Sequence, residues 1–180
     1  MLAWAAQHSR VFPWRSEKRT PYTILLAEIL LRRTTSTAVA KSYERILSKY
    51  PSIKSLASTS IRELDAAFGM LGLQRQRAIA AQRLAKVVVN RFSGVIPSNR
   101  EQLVSIPSIG PYTAGAILSF GFGISAPVVD SNIERVIRRV FSISVGYLPP
   151  AQVSKAAVLL VPMCLHEAYN WGLIDLGAIC

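Results

Sequence analysis

Along most of this chain apolar residues recur every three or four positions, the period of a helix packed on one face, and two-residue alternation is scarce. In TPYTILLAEILLRR, Pro21 suits the first helical turn and Thr20 the N-cap. The next run, TSTAVAKSYERILSKY, puts Val39, Tyr43, Ile46 and Leu47 at helical spacing and ends at Pro51. Two short amphipathic pieces follow, SIKSLA and SIRELDAAFGM, the second stopped near Gly69 and Gly72. RQRAIAAQRLAKVVVNRF then turns Ile79, Leu84, Val87 and Val88 inward and spreads Arg75, Arg77, Arg83, Lys86 and Arg91 around its polar side. Further helices are predicted at about 99–104, 112–121, 131–141, 151–161 and 165–178. No internal repeat, low-complexity tract or flexible linker interrupts them, so the pattern predicts an all-α chain of about ten short helices.

One stretch breaks the rhythm. Residues 102–129 carry no charge, and roughly 18 uncharged apolar residues suffice to cross a bilayer. Pro107, Gly110, Pro111, Gly121, Gly123 and Pro127 interrupt the stretch, however, and leave only Tyr112 to Gly121 as continuous helix. A buried helix between two turns is expected, followed by a strand-like segment that ends at the lone carboxylate of Asp130.

Charge changes the picture by its placement. The 180 residues are 51% hydrophobic and 17% charged, a globular composition for one domain or two small interleaved lobes, with a formal net charge of +11. Residues 1–100 hold 17 of the 21 Lys and Arg and five of the ten acids, so the basic face lies in the first half and suits a polyanion. Two cysteines exclude a disulfide framework and point to a reducing, intracellular setting. Cys164, inside VLLVPMCL, is expected to be a buried core thiol. The segment MLAWAAQHSRVFPWR lacks the apolar core of a secretory signal.

Three places could carry chemistry. IPSIGPY joins two short helices by a Pro/Gly turn, either an ordinary αα turn or a hairpin whose exposed N–H groups hold a phosphate. Asp130, in PVVDSNIERVIRRV, reads as the N-cap of the helix that follows; at that helix start it could equally stay ionised and face a cavity. Glu28 sits among Ile24, Leu25, Leu26, Ile29, Leu30 and Leu31, so it is either paired with Arg32 one turn on or desolvated as a general acid needs to be. Arg32 and Arg33 are then a solvated helix end or a pair reaching into a polyanion.

Taken together and in order, FPWR (12–15), AEILLRRT (27–34), IPSIGPYTAGAIL (106–118), VVDSNIERV (128–136) and LIDLGAIC (173–180) resemble the helix-hairpin-helix (HhH-GPD) base-excision DNA glycosylases, the superfamily of endonuclease III and MutY. The resemblance covers nearly the whole chain. It implies an all-α, two-lobed fold: a six-helix lobe of about 16–125 that includes the hairpin, and a second lobe of 1–15 with 126–180 that carries the catalytic aspartate. It also implies a monomer, cytoplasmic and nucleoid-associated if prokaryotic, that flips a mismatched or damaged base out of double-stranded DNA. By that resemblance Asp130 is the essential aspartate, which stabilises the cationic sugar and orients or deprotonates water, with Glu28 and Tyr112 as its catalytic neighbours. DNA-contacting positions fall on Arg32, Arg33, Gln74, Ser108, Gly110, Thr113 and Asn132. Arg33 would reach the base opposite the flipped one or fill its gap, and Ser108, Gly110 and Thr113 would hold a phosphate, with a monovalent cation at the hairpin carbonyls.

Where bifunctional members carry a lysine after the hairpin, this chain has Tyr112, which implies monofunctional hydrolysis without strand cleavage. Leu31-Arg32-Arg33-Thr34, the GLQRQRA of 72–78 and VVVNRFSGVIPSNR resemble the archaeal-type thymine mismatch glycosylases, which remove T or U opposite G. A MutY-type adenine glycosylase, acting on A opposite G or 8-oxoguanine, is the alternative; Glu28 and Tyr112 fit both, and no appended domain for oxidised guanine is present. A DNA-binding module of the same fold that has lost catalysis is a third reading. The chain departs from the family at Ser108, where glycine is usual, and at its cysteines. Cys164 matches no ligand motif and Cys180 falls one residue early, so these residues cannot assemble a [4Fe–4S] cluster, which implies either a cluster-free member or a shortened chain, and no other metal site is expected.

Overall fold

Short-range hydrogen bonding sets where several of the helices begin. Thr20, Thr35, Ser52, Ser60 and Asn99 each accept the backbone N–H of the third residue on, which satisfies a donor that the first helical turn leaves free. At Ser60 the bond is reciprocated, because the Glu63 carboxylate accepts from the Ser60 N–H at 3.1 Å. The computed structural model describes residues 2–145 and 149–179, and helix is the regular structure among them. The α-helices are α1 (Leu2–His8), α2 (Pro21–Leu31), α3 (Ser36–Lys49), α4 (Ile53–Ser58), α5 (Ile61–Phe68), α6 (Gln74–Phe92), α7 (Arg100–Val104), α8 (Pro111–Ala116), α9 (Ser131–Val145), α10 (Pro150–Leu160) and α11 (His166–Ile179). The all-α prediction holds, and α1 and a 3-10 turn at Pro13–Arg15 add to it. Among the described residues no helix is long and apolar enough to cross a membrane.

The chain divides into two compact units. The first, Phe12–Gly110, contains α2 to α7. Every residue of α2 from Ile24 to Leu30 is buried, so this helix is surrounded rather than one-sided. The long α6 packs against α4 and α5 through Ala78, Ala81, Leu84, Ala85 and Val88. Ile79 is not part of that face: it is 44% exposed, while Ala78, Ala81 and Ala85 are buried. Arg77 departs from expectation in the opposite direction, being buried rather than on the polar side.

The second unit, Met1–Val11 with Pro111–Cys180, holds α1 and α8 to α11. Ile133, Val136 and Ile137 of α9 pack with Val153 and Ala157 of α10 and Leu173 of α11. The buried Asp175 of α11 accepts from the N–H and Nε of Arg10 at 2.9 and 2.7 Å, which ties the segment after α1 to this core. Residues 111–121 cluster here, whereas the expected partition left them with the first lobe: Phe120 stacks on Trp171 of α11 at 4.6 Å. The expected continuous helix runs as α8 and then changes to π-helical turns over Ile117–Gly121. Cys164, expected to be buried, is exposed, because the residues around it form an exposed apolar run that includes Leu159 and Met163.

Gly115 shows how tightly this unit is packed. A Cβ there would collide with the backbone carbonyl oxygen of Pro127, an atom that no side-chain rotation can move. Gly115→Ala is expected to lower stability by about 3 kcal/mol. Chemical denaturation checks this, and an unchanged midpoint would show that the 127 segment yields.

Candidate active site

Asp130 immediately precedes α9, and both of its carboxylate oxygens are engaged. Oδ1 accepts the N–H of Ile133 at 2.7 Å and Oδ2 accepts Nδ2–H of Asn132 at 3.0 Å, while the Asp130 carbonyl accepts from Glu134 N–H at 2.9 Å. The N-cap expected from the sequence is therefore formed. Two N–H donors and the first turn of the fifteen-residue α9 thus surround the carboxylate. Asp130 is half-buried, not sealed.

The segment leading to it is held from behind by a buried polar cluster. Asn170 donates Nδ2–H to the Ala126 carbonyl at 2.9 Å and to Ser119 Oγ at 3.0 Å. His166 places Nδ1 2.9 Å from Ser119 Oγ and Nε2 3.1 Å from the Gly123 carbonyl, which can only accept, so Nε2 carries a hydrogen. Ser119 reaches both partners from the π-helical turns. None of these three residues stands out in the sequence, because their meaning lies in partners more than forty positions away.

In the Phe12–Gly110 unit, two loop motifs turn out to be one structure. Arg77 donates Nη1–H to the carbonyls of Ile29 (2.6 Å) and Leu30 (2.8 Å), and Nη2–H to the Arg32 carbonyl and Thr34 Oγ1, both at 2.8 Å. It thus satisfies the last carbonyls of α2 with a charge that suits the negative end of that helix. Thr34 completes the link by donating to the Leu71 carbonyl at 2.6 Å. Burial and the nearby Arg32 guanidinium pull the pKa of Arg77 below its ordinary value.

Beside this joint lies a cavity of about 460 Å³ lined by Ile29, Arg32, Arg33, Leu73, Gln76, Arg77 and Ala80. Arg33 is exposed at its edge with φ +50°, and Leu73 with φ +47°, left-handed conformations that cost a non-glycine residue about 1–2 kcal/mol. Strain of this kind collects at functional positions. Gln74, the expected contact, is the half-buried first residue of α6; Gln76 lines the cavity instead. Arg32 is internally committed, since its Nη2–H is donated to the Ser108 carbonyl. Burial pulls its pKa below the ordinary value, and the charge of Glu28, one turn earlier, offsets only part of that. Glu28 itself is buried.

The hairpin residue Ser108 is exposed with φ +67°, so serine adopts the left-handed turn for which glycine is the usual choice. Gly110 is exposed, with open space where a Cβ would lie, and Thr113 is buried in the first turns of α8, next to the half-buried Tyr112. Ser108→Gly should relieve the strain and raise stability by about 1 kcal/mol. A thermal melt reads this directly; a loss of stability would mean that the Ser108 side chain contributes more than its backbone costs.

Comparison with known proteins bears on the whole arrangement. Residues 26–161 match the HhH-GPD superfamily of base excision DNA repair proteins. The chain belongs to this superfamily. The thymine/uracil-DNA glycosylase of Methanothermobacter thermautotrophicus is 39% identical over 172 residues, which is 94% of this chain and 77% of that protein. The adenine DNA glycosylase of Mycolicibacterium smegmatis is 30% identical over 179 residues, 99% of this chain and 61% of that protein. The solved structure of a thermostable thymine-DNA glycosylase superposes with a TM-score of 0.94 at 38% identity, covering 99% of this chain and 82% of that one.

A four-cysteine iron–sulfur cluster needs more thiolates than these 180 residues supply. This HhH-GPD chain has two cysteines: Cys164 is exposed, and Cys180 lies outside the described residues. Among the described residues no three His, Cys, Asp or Glu side chains gather as metal ligands. The residues that sequence reasoning missed are Leu73, Gln76, Arg77 and the Ser119–His166–Asn170 cluster. Only Leu73 left a signal, an apolar residue between Gly72 and the polar run Gln74-Arg75-Gln76-Arg77.

Proposed function

We propose that this HhH-GPD protein is a monofunctional DNA glycosylase that removes thymine or uracil mispaired with guanine from double-stranded DNA. The observation that carries the chemistry is Asp130, held by Ile133 N–H and Asn132 Nδ2–H at the start of α9. A carboxylate oriented in this way stabilises the oxocarbenium-like sugar as the N-glycosidic bond breaks, and takes a proton from the attacking water. Glu28, buried in α2, is suited to assist departure of the base as an acid. Tyr112 offers a phenol where a Schiff-base mechanism needs an amine, so water is the nucleophile and the sugar–phosphate chain stays intact.

The Arg32–Arg33–Thr34 and Gly72–Arg77 joint supports the DNA reading. Arg33 presents a guanidinium that fits the O6 and N7 edge of guanine, and Leu73 an apolar wedge for the gap left by a flipped base. Ser108 and Gly110 supply exposed hairpin backbone for a phosphate. A monovalent cation at the hairpin carbonyls belongs to the same grip, although the Ser108 carbonyl is already taken by Arg32. Identity favours the pyrimidine substrate, 39% to the thymine/uracil enzyme against 30% to the adenine enzyme. The test is a T:G duplex incubated with the protein and divided before electrophoresis. Hydrolysis alone gives a strand that breaks only after alkali; breakage without alkali contradicts the monofunctional mechanism.

A further inference from the structure

Asn132 orients Asp130, and what orients Asn132 lies one helical turn further on. An amide side chain by itself is ambiguous, because rotation about its last bond exchanges a donor for an acceptor of nearly the same shape. Here the neighbours remove the ambiguity. On one side Asp130 Oδ2 takes Nδ2–H at 3.0 Å, and an ionised carboxylate can only accept. On the other side Arg135 gives Nη2–H to Asn132 Oδ1 at 3.0 Å, and a guanidinium can only donate. The reversed amide would set oxygen against oxygen and NH2 against N–H.

Arg135 is itself fixed from a second helix. Its Nη2 also donates to the carbonyl of Gly177 near the end of α11. Gly177 is where α11 comes against Asn132: an added Cβ would lie 2.6 Å from Asn132 Cβ and 2.9 Å from its backbone carbonyl carbon and oxygen. The Nε atom of Arg135 is buried with no hydrogen-bond partner among the described residues, an unrelieved desolvation cost that a helix-end contact alone does not explain.

We infer that Arg135 is a positioning residue of the reaction, which fixes the Asn132 amide so that Asp130 meets a donor and never an acceptor. The inference rests on the assignment of Asp130 as the catalytic carboxylate. Without Arg135 the amide samples both orientations, and Asp130 spends part of its time facing an oxygen.

A double-mutant cycle tests this on the full chain, with single-turnover base release from a T:G duplex, affinity for that duplex and a thermal melt measured for each variant. Arg135→Gln is expected to slow base release by on the order of tenfold to a hundredfold while duplex affinity stays within about twofold. In an Asn132→Ala background the same change should cost less than about twofold, because the amide through which Arg135 acts is gone. A wild-type rate for Arg135→Gln, or an equal loss in both backgrounds, would overturn the inference and leave Arg135 as a helix clamp. If Arg135→Gln melts below the assay temperature, Arg135→Lys enters the cycle under the same criteria, since one ammonium does not reproduce the guanidinium's shared contact. Asp130→Asn is the control: if it releases base at the wild-type rate, the assignment of Asp130 has failed rather than the relay.

Discussion

Asp130→Asn reduces base release by on the order of a thousandfold or more, with little change in folding stability or in affinity for DNA. The two roles of this residue separate cleanly in that substitution. Asparagine is as good an N-cap as aspartate, so the Ile133 N–H keeps an acceptor and α9 keeps its start. What disappears is the negative charge, which is needed opposite a sugar that becomes cationic as the base departs. The Asn132 amide, which now donates to Oδ2, would meet another amide in place of an anion. Single-turnover release on a T:G duplex, beside a melt of each protein, measures both effects. Full activity in the variant would reduce Asp130 to the helix cap that the sequence alone allows.

Arg77→Ala destabilises the protein by about 3–5 kcal/mol. Arg77 is buried and serves the carbonyls of Ile29, Leu30 and Arg32 together with the Thr34 hydroxyl. Truncation leaves several of those acceptors without donors, at roughly 1–3 kcal/mol each before relaxation and less for any that water from the adjoining cavity reaches. It also frees the loop from Leu71 to Leu73, so the cavity bordered by Arg33 and Leu73 loses its support. Denaturant unfolding with an unchanged slope and a lower midpoint is the expected result. A shift below about 1 kcal/mol would show that solvent replaces the guanidinium.

The helices were legible because their information is local. Thr20, Ser52, Ser60 and Asn99 sit where a cap is needed, and an apolar period of three to four residues needs no knowledge of the partner. Arg77 and Ile79 were misplaced for the complementary reason. They lie on one helix with the expected polarity, but which face is covered depends on α4, α5 and the end of α2. Cys164 was misjudged because an apolar run implies burial only if something covers it.

At the site, motif residues such as Asp130 and Glu28 were readable by type and position. The commitments of their neighbours were not. Arg32 reads as a free cation and is turned onto a carbonyl; Asn132 reads as a DNA contact and has both ends of its amide engaged within the protein. Nothing in the side chains of Arg33, Leu73 or Ser108 announces a left-handed backbone, since glycine would be the local choice at each.

The substrate is the claim on which the rest depends. The most direct measurement presents one pool of duplexes carrying T:G, U:G, A:G and A:8-oxoguanine, each with its own label, to an excess of protein and follows base release in a single turnover. Thymine and uracil opposite guanine should be released while both adenine-containing duplexes stay intact. Release confined to adenine would contradict the account in favour of the adenine reading, and binding to every duplex without release from any would leave a DNA-binding module in place of an enzyme.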